Sequence, residues 1–208
     1  MSILTKNSLK MAVKNKDYKR IEIIDTAYVL MLEKGYEGTG IQDIIDNINA
    51  TKGCIYYYFK SKKDIAIAVI EEIIKPFFDS QWSTVRTAVN PIDEICKIID
   101  GVYLNNADNL AKTGCPLGNL ILELSAKDPI LSKLTNEIII MWHNHIKKAL
   151  QISKTKKIIK QELDENLAAN FIIASFEGCI MISKSNHSKE VLKGCFSVLK
   201  EYLLLLKI

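Results

Sequence analysis

Apolar residues recur along nearly the whole chain at three- and four-residue steps, and alternation with a period of two is scarce, so the pattern predicts an all-α protein. The first stripe is Ile21, Ile24, Tyr28, Met31 and Leu32, one face of a helix from about Asp17 to Lys34. Gly35 stands where a left-handed residue closes such a helix. A second, short helix carries Ile41, Ile44, Ile45 and Ile48. Thr39-Gly40-Ile41-Gln42 has the form of a capping box at its start, and Asn49 at its end tolerates the left-handed backbone of a tight turn. Thr51 caps a third helix from Lys52 to about Tyr57, which Phe59-Lys60 closes. Ser61-Lys62-Lys63-Asp64 opens a longer fourth helix, which Pro76 is expected to kink or interrupt.

Five more helical stretches follow. Asn90-Pro91, Gly114-Cys115-Pro116 and Asp128-Pro129 each place proline at a first helical position, and the last of the three helices reaches about Lys154. The lysine-rich stretch 154–160 reads as a loop. Asp164 caps an eighth helix running through Ser183, and a ninth covers about Ser188 to Leu206. About nine helices result, without an internal repeat. The polar segment 1–16, with Lys6, Lys10, Lys14 and Lys16, reads as a flexible N-terminal arm. Residues 17–62 form a three-helix helix-turn-helix domain, and 63–208 form a larger helical domain.

Composition narrows the class. Apolar residues at 48% suffice for a core, and charged residues at 25% match an ordinary globular protein. A net charge of +4 excludes a polycation, so any basic surface must be local. Five cysteines (Cys54, Cys96, Cys115, Cys179, Cys195) form no C-x-x-C pair and are odd in number, which indicates reduced thiols in a cytoplasmic protein. Neither a signal peptide nor a membrane span of roughly 18 apolar residues is expected. The longest apolar run, Phe171–Ile182, is broken by Glu177.

The informative segment is Thr39–Lys63. Two short helices joined by a tight turn and packed on a first helix describe a helix-turn-helix, whose second helix enters the major groove of double-stranded DNA. From Ala50 to Lys63 there are four lysines (Lys52, Lys60, Lys62, Lys63) and no acid, a pattern suited to releasing phosphate counterions. Tyr56, Tyr57 and Tyr58 are consecutive, and helical residues turn about 100° per step, so at least one faces outward, where its hydroxyl can donate to phosphate.

Residues Asp17–Lys75 resemble the N-terminal domain of the TetR/AcrR family of transcriptional regulators. The resemblance rests on Ala27, Gly35-Tyr36-Glu37-Gly38-Thr39, Ile41-Gln42-Asp43-Ile44 and the string Thr51-Lys52-Gly53-Cys54-Ile55-Tyr56-Tyr57-Tyr58-Phe59-Lys60-Ser61-Lys62. Gly114-Cys115-Pro116-Leu117-Gly118-Asn119 is similar to a string in one branch of the family's C-terminal domains. The resemblance implies that Gln42 lies near DNA and that Lys52, Gly53 and Cys54 face the groove. It implies that Tyr56 and Tyr57 contact phosphate or sugar and that Lys62 clamps a phosphate; Thr51 and Tyr58 complete the set. Ile55 and Phe59 are expected in the core. The chain departs from the family at Asn49, where glycine is usual, at Cys54, where a hydroxyl residue is usual, and at Tyr58, often His or Asn.

The same resemblance implies that the eighth and ninth helices pair with their copies in a homodimer. Those helices carry wide apolar stripes, including Phe171, Phe176, Met181, Val191, Phe196 and Leu203, and Gly178 allows close approach. Two reading heads on a palindrome must be spaced by about 34–36 Å. A small-molecule effector would lie among the helices of the larger domain. Candidate lining residues are Phe78, Trp82, Cys96, Tyr103, Cys115, Asn119, Glu123, Trp142, His145 and Phe171, each of which ordinary core packing also explains. Glu123, on an otherwise apolar helix, either pairs with a cationic ligand or faces water. Cys115, at a helix start where thiol pKa values fall, and Cys96 raise an alternative, a redox or electrophile sensor.

No glycine-rich phosphate loop, G-x-S-x-G or zinc spacing is present, and His143 and His145 point to different sides of a helix. The expectation is a non-enzyme without cofactor or metal. It would be a repressor that binds a palindromic operator as a dimer and is released by a small apolar or amphipathic effector. A DNA-organising protein with the same reading motif is the competing class.

Overall fold

In a computed structural model, residues 15–208 are described, with side chains from Tyr18 onward. The expected arm over 1–16 lies outside the described residues except for its last two, which open the first helix. The described chain is all-α, with ten α-helical segments and no named strand; Ile159 and Lys207 form one isolated bridge. The chain divides into two compact units: the residues through Lys75 with Asn119–Thr135, and Pro76–Gly118 with Asn136–Ile208.

In the first unit, α1 (Asn15–Lys34), α2 (Ile41–Ile48), α3 (Lys52–Tyr58) and α4 (Lys62–Val69) follow one another. Ile23, Ala27, Ile44, Ile55, Phe59 and Ile65 are buried, so each helix gives one stripe to a shared core. The α2–α3 turn is made by Asn49 at φ 48°, ψ 52°, the left-handed conformation expected of it. Thr51 Oγ1 accepts from Cys54 N at 3.2 Å, and Ser61 Oγ accepts from Asp64 N at 3.1 Å, so both expected caps form.

The cap of α2 differs from the expectation. Gly40 is the N-cap, and its N–H donates to Asp43 Oδ2 at 2.7 Å. Thr39 is buried, and its hydroxyl donates instead to the Gly35 carbonyl at 2.7 Å, tying down the end of α1. The helix therefore starts one residue later than the Thr39 box implied.

The fourth helix of the sequence reading becomes α4, a π turn (Ile70–Ile74) and α5 (Lys75–Ser83). Proline lacks an N–H and its ring crowds the carbonyl four residues before it, here Glu72 inside the π turn, so Pro76 disturbs the ladder one turn upstream of itself.

The second unit is built on α6 (Pro91–Thr113), α9 (Glu165–Asn186) and α10 (Lys189–Leu205), which pack on one another. Helices α7 (Pro116–Leu124) and α8 (Pro129–Thr155) contribute to both units. Asn90, Asp164 and Ser188 cap α6, α9 and α10 with their side chains. Helix α9 is long and apolar enough to cross a bilayer by length and composition, an outcome the break at Glu177 had not suggested. Its Ile172, Ile173, Phe176, Cys179 and Ile180 are buried in the protein, as in a core helix.

Candidate nucleic-acid interface

Helix α3 presents the surface that the pattern of lysines and tyrosines requires. Ile55 is fully buried and anchors the helix, while Thr51, Lys52, Gly53, Tyr56 and Tyr57 are exposed and Cys54 and Tyr58 are half-buried. Tyr57 is 63% exposed and meets the Tyr58 ring edge-on at 4.9 Å. The Lys52 ammonium lies 6.0 Å above the Tyr56 ring. Gln42 is exposed on α2 and donates to Asp46 at 2.7 Å. Lys52, Gly53, Tyr56 and Tyr57 lie within one arc of about 140° around α3.

Gly53 has no internal reason to be glycine. A Cβ there would meet only Thr51 Oγ1, at 3.9 Å. Glycine inside a helix costs up to about 1 kcal/mol against alanine. Gly53→Ala is therefore expected to raise thermal stability slightly while lowering operator affinity, because the methyl group stands in the path of the duplex. Melting curves beside anisotropy titrations test this, and unchanged affinity would remove Gly53 from the contact surface.

The four lysines are not equivalent. The Lys62 ammonium donates to the Tyr36 carbonyl at 3.0 Å, lies 4.2 Å above the Tyr36 ring and sits 3.8 Å from Glu37. Lys63 pairs with Asp128 at 2.8 Å, which holds the Asp128 carboxyl below its usual range. Lys52 and Lys60 remain exposed. Lys62, expected from the resemblance to hold phosphate, is thus a partly buried brace on the turn after α1, and a phosphate would compete with the Tyr36 carbonyl for it. Arg20 makes a two-point pair with Glu72, at 2.7 and 2.6 Å, and lies 5.3 Å over the Phe59 ring. That pair holds the Glu72 carboxyl below its usual range and ties α1 to the π turn.

Sequence reasoning missed the role of Glu123. Its Oε2 accepts from Tyr36 N at 2.9 Å and its Oε1 from Glu37 N at 2.7 Å. Gly35 is in the left-handed region at φ 77°, and a Cβ there would lie 2.9 Å from Glu123 Oε2. Consecutive amides after such a residue form an anion-binding nest, and here the anion is a carboxylate of the same chain. Glu123, half-exposed on α7, therefore spends both carboxylate oxygens on amides of its own chain instead of only meeting water. Nothing in the local sequence signals a partner more than eighty residues away.

The remaining effector candidates disperse. Phe78, Trp82 and Trp142 are buried in an aromatic cluster with Phe176 and Phe196, with neighbouring ring centroids 4.9–5.6 Å apart. His145 is buried, and its Nε2 lies 2.8 Å from Asp79 Oδ1. Beside it an open groove of about 1000 Å³ is lined by residues including Asp79, Arg86, Glu137, Met141 and His145. Cys96 and Tyr103 are half-buried on α6, and Asn119 is half-buried on α7. Phe171 is half-exposed on the outer face of α9, packed edge-on against Tyr202 at 4.9 Å, and so does not line an interior site. Among the described residues, three buried side-chain polar atoms lack a hydrogen-bond partner: Trp142 Nε1, His145 Nδ1 and Glu177 Oε1.

Cys115 also departs from expectation. Its thiol is buried, and desolvation followed by the neighbouring Glu177 raises its pKa well above the usual range. At Cys96, burial followed by Asp93 raises the thiol as well. The helix start at Pro116 does not offset this, because loss of water opposes the thiolate more than two or three peptide dipoles favour it. A sensor thiol needs the opposite shift, so neither cysteine has the surroundings of one. Burial pushes the Glu177 carboxyl up to about 7, and a hydrogen bond with Cys115 opposes the rise. Gly118 makes room for this acid, since a Cβ there would come to 2.5 Å from Glu177 Oε2.

Comparison with known proteins agrees with this geometry. Residues 23–69 match the profile of the bacterial regulatory proteins, tetR family, and residues 91–198 match that of the tetracyclin repressor-like C-terminal domain. The chain is 32% identical, over 91% of its length and 95% of the other protein's, to an uncharacterized HTH-type transcriptional regulator in the lacX 3' region of Lactococcus lactis subsp. lactis. It is 27% identical, over 89% of its length and 92% of the other's, to the HTH-type transcriptional repressor DhaR of Mycobacterium sp. (strain GP1). Among solved structures, a TetR transcriptional regulator from Chloroflexus aurantiacus J-10-FL superposes with a TM-score of 0.81 at 25% identity, covering 91% of this chain and 96% of that one.

Proposed function

The chain belongs to the tetR family of bacterial transcriptional regulators, DNA-binding proteins rather than enzymes, and from that premise we propose that it is a cytoplasmic repressor. It binds a palindromic operator as a homodimer and leaves it when a small apolar or amphipathic effector binds the second unit. The observation that carries this reading is the exposed face of α3, where Lys52, Gly53, Tyr56 and Tyr57 are exposed on a helix whose cap and preceding turn are fully formed. In this arrangement Thr51, Lys52, Gly53 and Cys54 meet base edges, Gln42 flanks them, and the tyrosine hydroxyls donate to phosphate.

The dimer reading is supported by an unpartnered apolar stripe. Leu167, Phe171 and Met181 of α9 and Val198 and Leu205 of α10 are exposed, spaced to lie on the outer sides of the two helices. Contiguous apolar surface of this kind marks a protein interface. For the effector, the aromatic cluster and the unpaired Trp142 Nε1 and His145 Nδ1 supply an apolar body and two polar anchors.

Selection of bound sequences from random DNA tests the assignment directly. A compact palindrome is the expected result, and uniform binding to any duplex would favour the DNA-organising class. The double substitution Val198→Lys with Leu205→Lys is expected to give monomers by sedimentation and to weaken operator binding by at least ~100-fold, because the second head loses its effective concentration. Full operator affinity in a dimeric double variant would move the interface elsewhere.

A further inference from the structure

Within the second unit, residues 79–89 run beside residues 145–156 and are tied to them at both ends. Asp79 Oδ1 accepts from His145 Nε2 at 2.8 Å at one end. At the other, the Lys156 ammonium donates to the Ala88 and Val89 carbonyls at 3.4 and 2.8 Å. The first stretch is the end of α5 with a 3-10 turn at Thr84–Arg86, and the second is the last part of α8 with Lys156. Both line the open groove of about 1000 Å³. The groove is polarised along its length. Glu137, Met141, Lys148 and Ile152 recur at whole-turn steps on α8 and line it together. Between the two ties its charged residues are Arg86 and Lys148, both basic. Toward Glu137 it turns apolar, with Met141 and the half-exposed Ile140. Helical rise separates Lys148 from Glu137 by about 16 Å. Asp79 gives one carboxylate oxygen to the imidazole, and among the described residues neither Arg86 nor Lys148 is paired with an acid. Arginine is scarce in this chain: of 28 basic residues only Arg20 and Arg86 are arginine. Arg20 spends its planar fork on both oxygens of Glu72, at 2.7 and 2.6 Å. Arg86 carries the same fork, lines an open groove and has no such partner.

We propose that this groove binds an amphipathic monocarboxylate, with the carboxylate on Arg86 and Lys148 and the apolar body along Met141 and Ile140. A guanidinium fork matches the two oxygens of a carboxylate, and charge-assisted bonds of this kind are the strong ones. Lys148 adds a second cation without a fixed geometry, so the head is held by one directional and one adjustable contact. The apolar stretch of α8 then receives the body. Glu137 at the far end repels a second anionic group, which selects one acid per molecule. The site adjoins the aromatic cluster through Met141 and His145, chain neighbours of Trp142 on α8. An anionic head narrows the effector class given above; the consequence for DNA rests on that proposed function, whereas the site itself does not.

Octanoate is the probe, with octanol and octylammonium as neutral and cationic controls of equal chain length, and calorimetric titration of the full chain is the readout. The expected result is one octanoate per chain, bound at least ~10-fold more tightly than either control and more weakly as salt rises. Arg86→Gln and Lys148→Gln are each expected to cost octanoate about 10-fold and to leave octanol unchanged, since only the charged head loses a partner. Arg86→Lys keeps the charge without the fork and should fall between Arg86→Gln and the wild type. Both side chains are exposed, so the variants are expected to fold, which their helical content checks. Equal affinity for the three probes, unchanged octanoate binding in either folded glutamine variant, or no saturation at one molecule per chain would overturn the site. Operator titration with and without octanoate reads the consequence separately. Release from the operator that is lost in Arg86→Gln supports the groove as the effector site. Saturable binding through Arg86 without an effect on DNA leaves the site in place and removes its link to regulation. The same binding in a chain that selects no operator counts against the regulator reading alone.

Discussion

Glu123→Ala is expected to destabilise the first unit by about 2–4 kcal/mol and to weaken operator binding with it. The carboxylate accepts two amide hydrogen bonds, from Tyr36 and Glu37. A bond to a charged acceptor contributes about 1.5–3 kcal/mol, and the partial exposure of the Glu37 amide lowers the sum. The same turn supplies the Tyr36 carbonyl to Lys62, so release of Glu123 also frees the brace at the start of α4. Glu123→Gln keeps the shape and one good acceptor and should lie between the two. Urea unfolding beside operator titrations gives the measurement, and an alanine variant as stable as the wild type would show that water replaces the carboxylate at no cost.

The second large effect concerns pH. Glu177 ionises near 4.5 when exposed and at about 7 in the fold. Below the lower value both states hold the proton, and stability is at its fullest. Between the two, the unfolded chain releases a proton that the folded chain keeps, so stability falls as pH rises; above about 7 the loss is complete. The difference between the two values corresponds to about 3 kcal/mol. Glu177→Gln cannot ionise. Its stability relative to wild type should therefore grow by up to about 3 kcal/mol from pH 4 to pH 8, while contributions from the other titrating groups cancel. A constant difference across that range in denaturant titrations would show that the acid reaches water in the folded state.

These two residues also mark the boundary of what was legible in the sequence. Thr51, Ser61, Asn90, Asp164 and Ser188 act on amides two or three residues ahead, so each cap could be read from its neighbours. Asn49 was legible for a similar reason, since its backbone conformation depends on the residue itself. The core stripe around Ile44, Ile48 and Ile55 followed from helical spacing. Glu123 and Glu177 are different. Their partners, Tyr36 and Cys115, lie far away in the chain, and an acid on an apolar helix has the same local pattern whether it meets water, a ligand or a distant amide. The Thr39 cap failed more subtly: the threonine had a competing acceptor at Gly35, and Asp43 served Gly40 instead. At Cys115 the helix-start argument was sound, but burial was invisible and outweighed it.

The lysines around α3 carry a consequence for how the protein searches a chromosome. Two of the four, Lys62 and Lys63, already have partners inside the first unit. On the proposed reading of α3 as the groove helix, Lys62 and Lys63 would each have to give up a partner to displace a condensed ion, so of these four lysines Lys52 and Lys60 would contribute most to the salt dependence of binding. The same two would then set how long the head dwells on arbitrary sequence during the search.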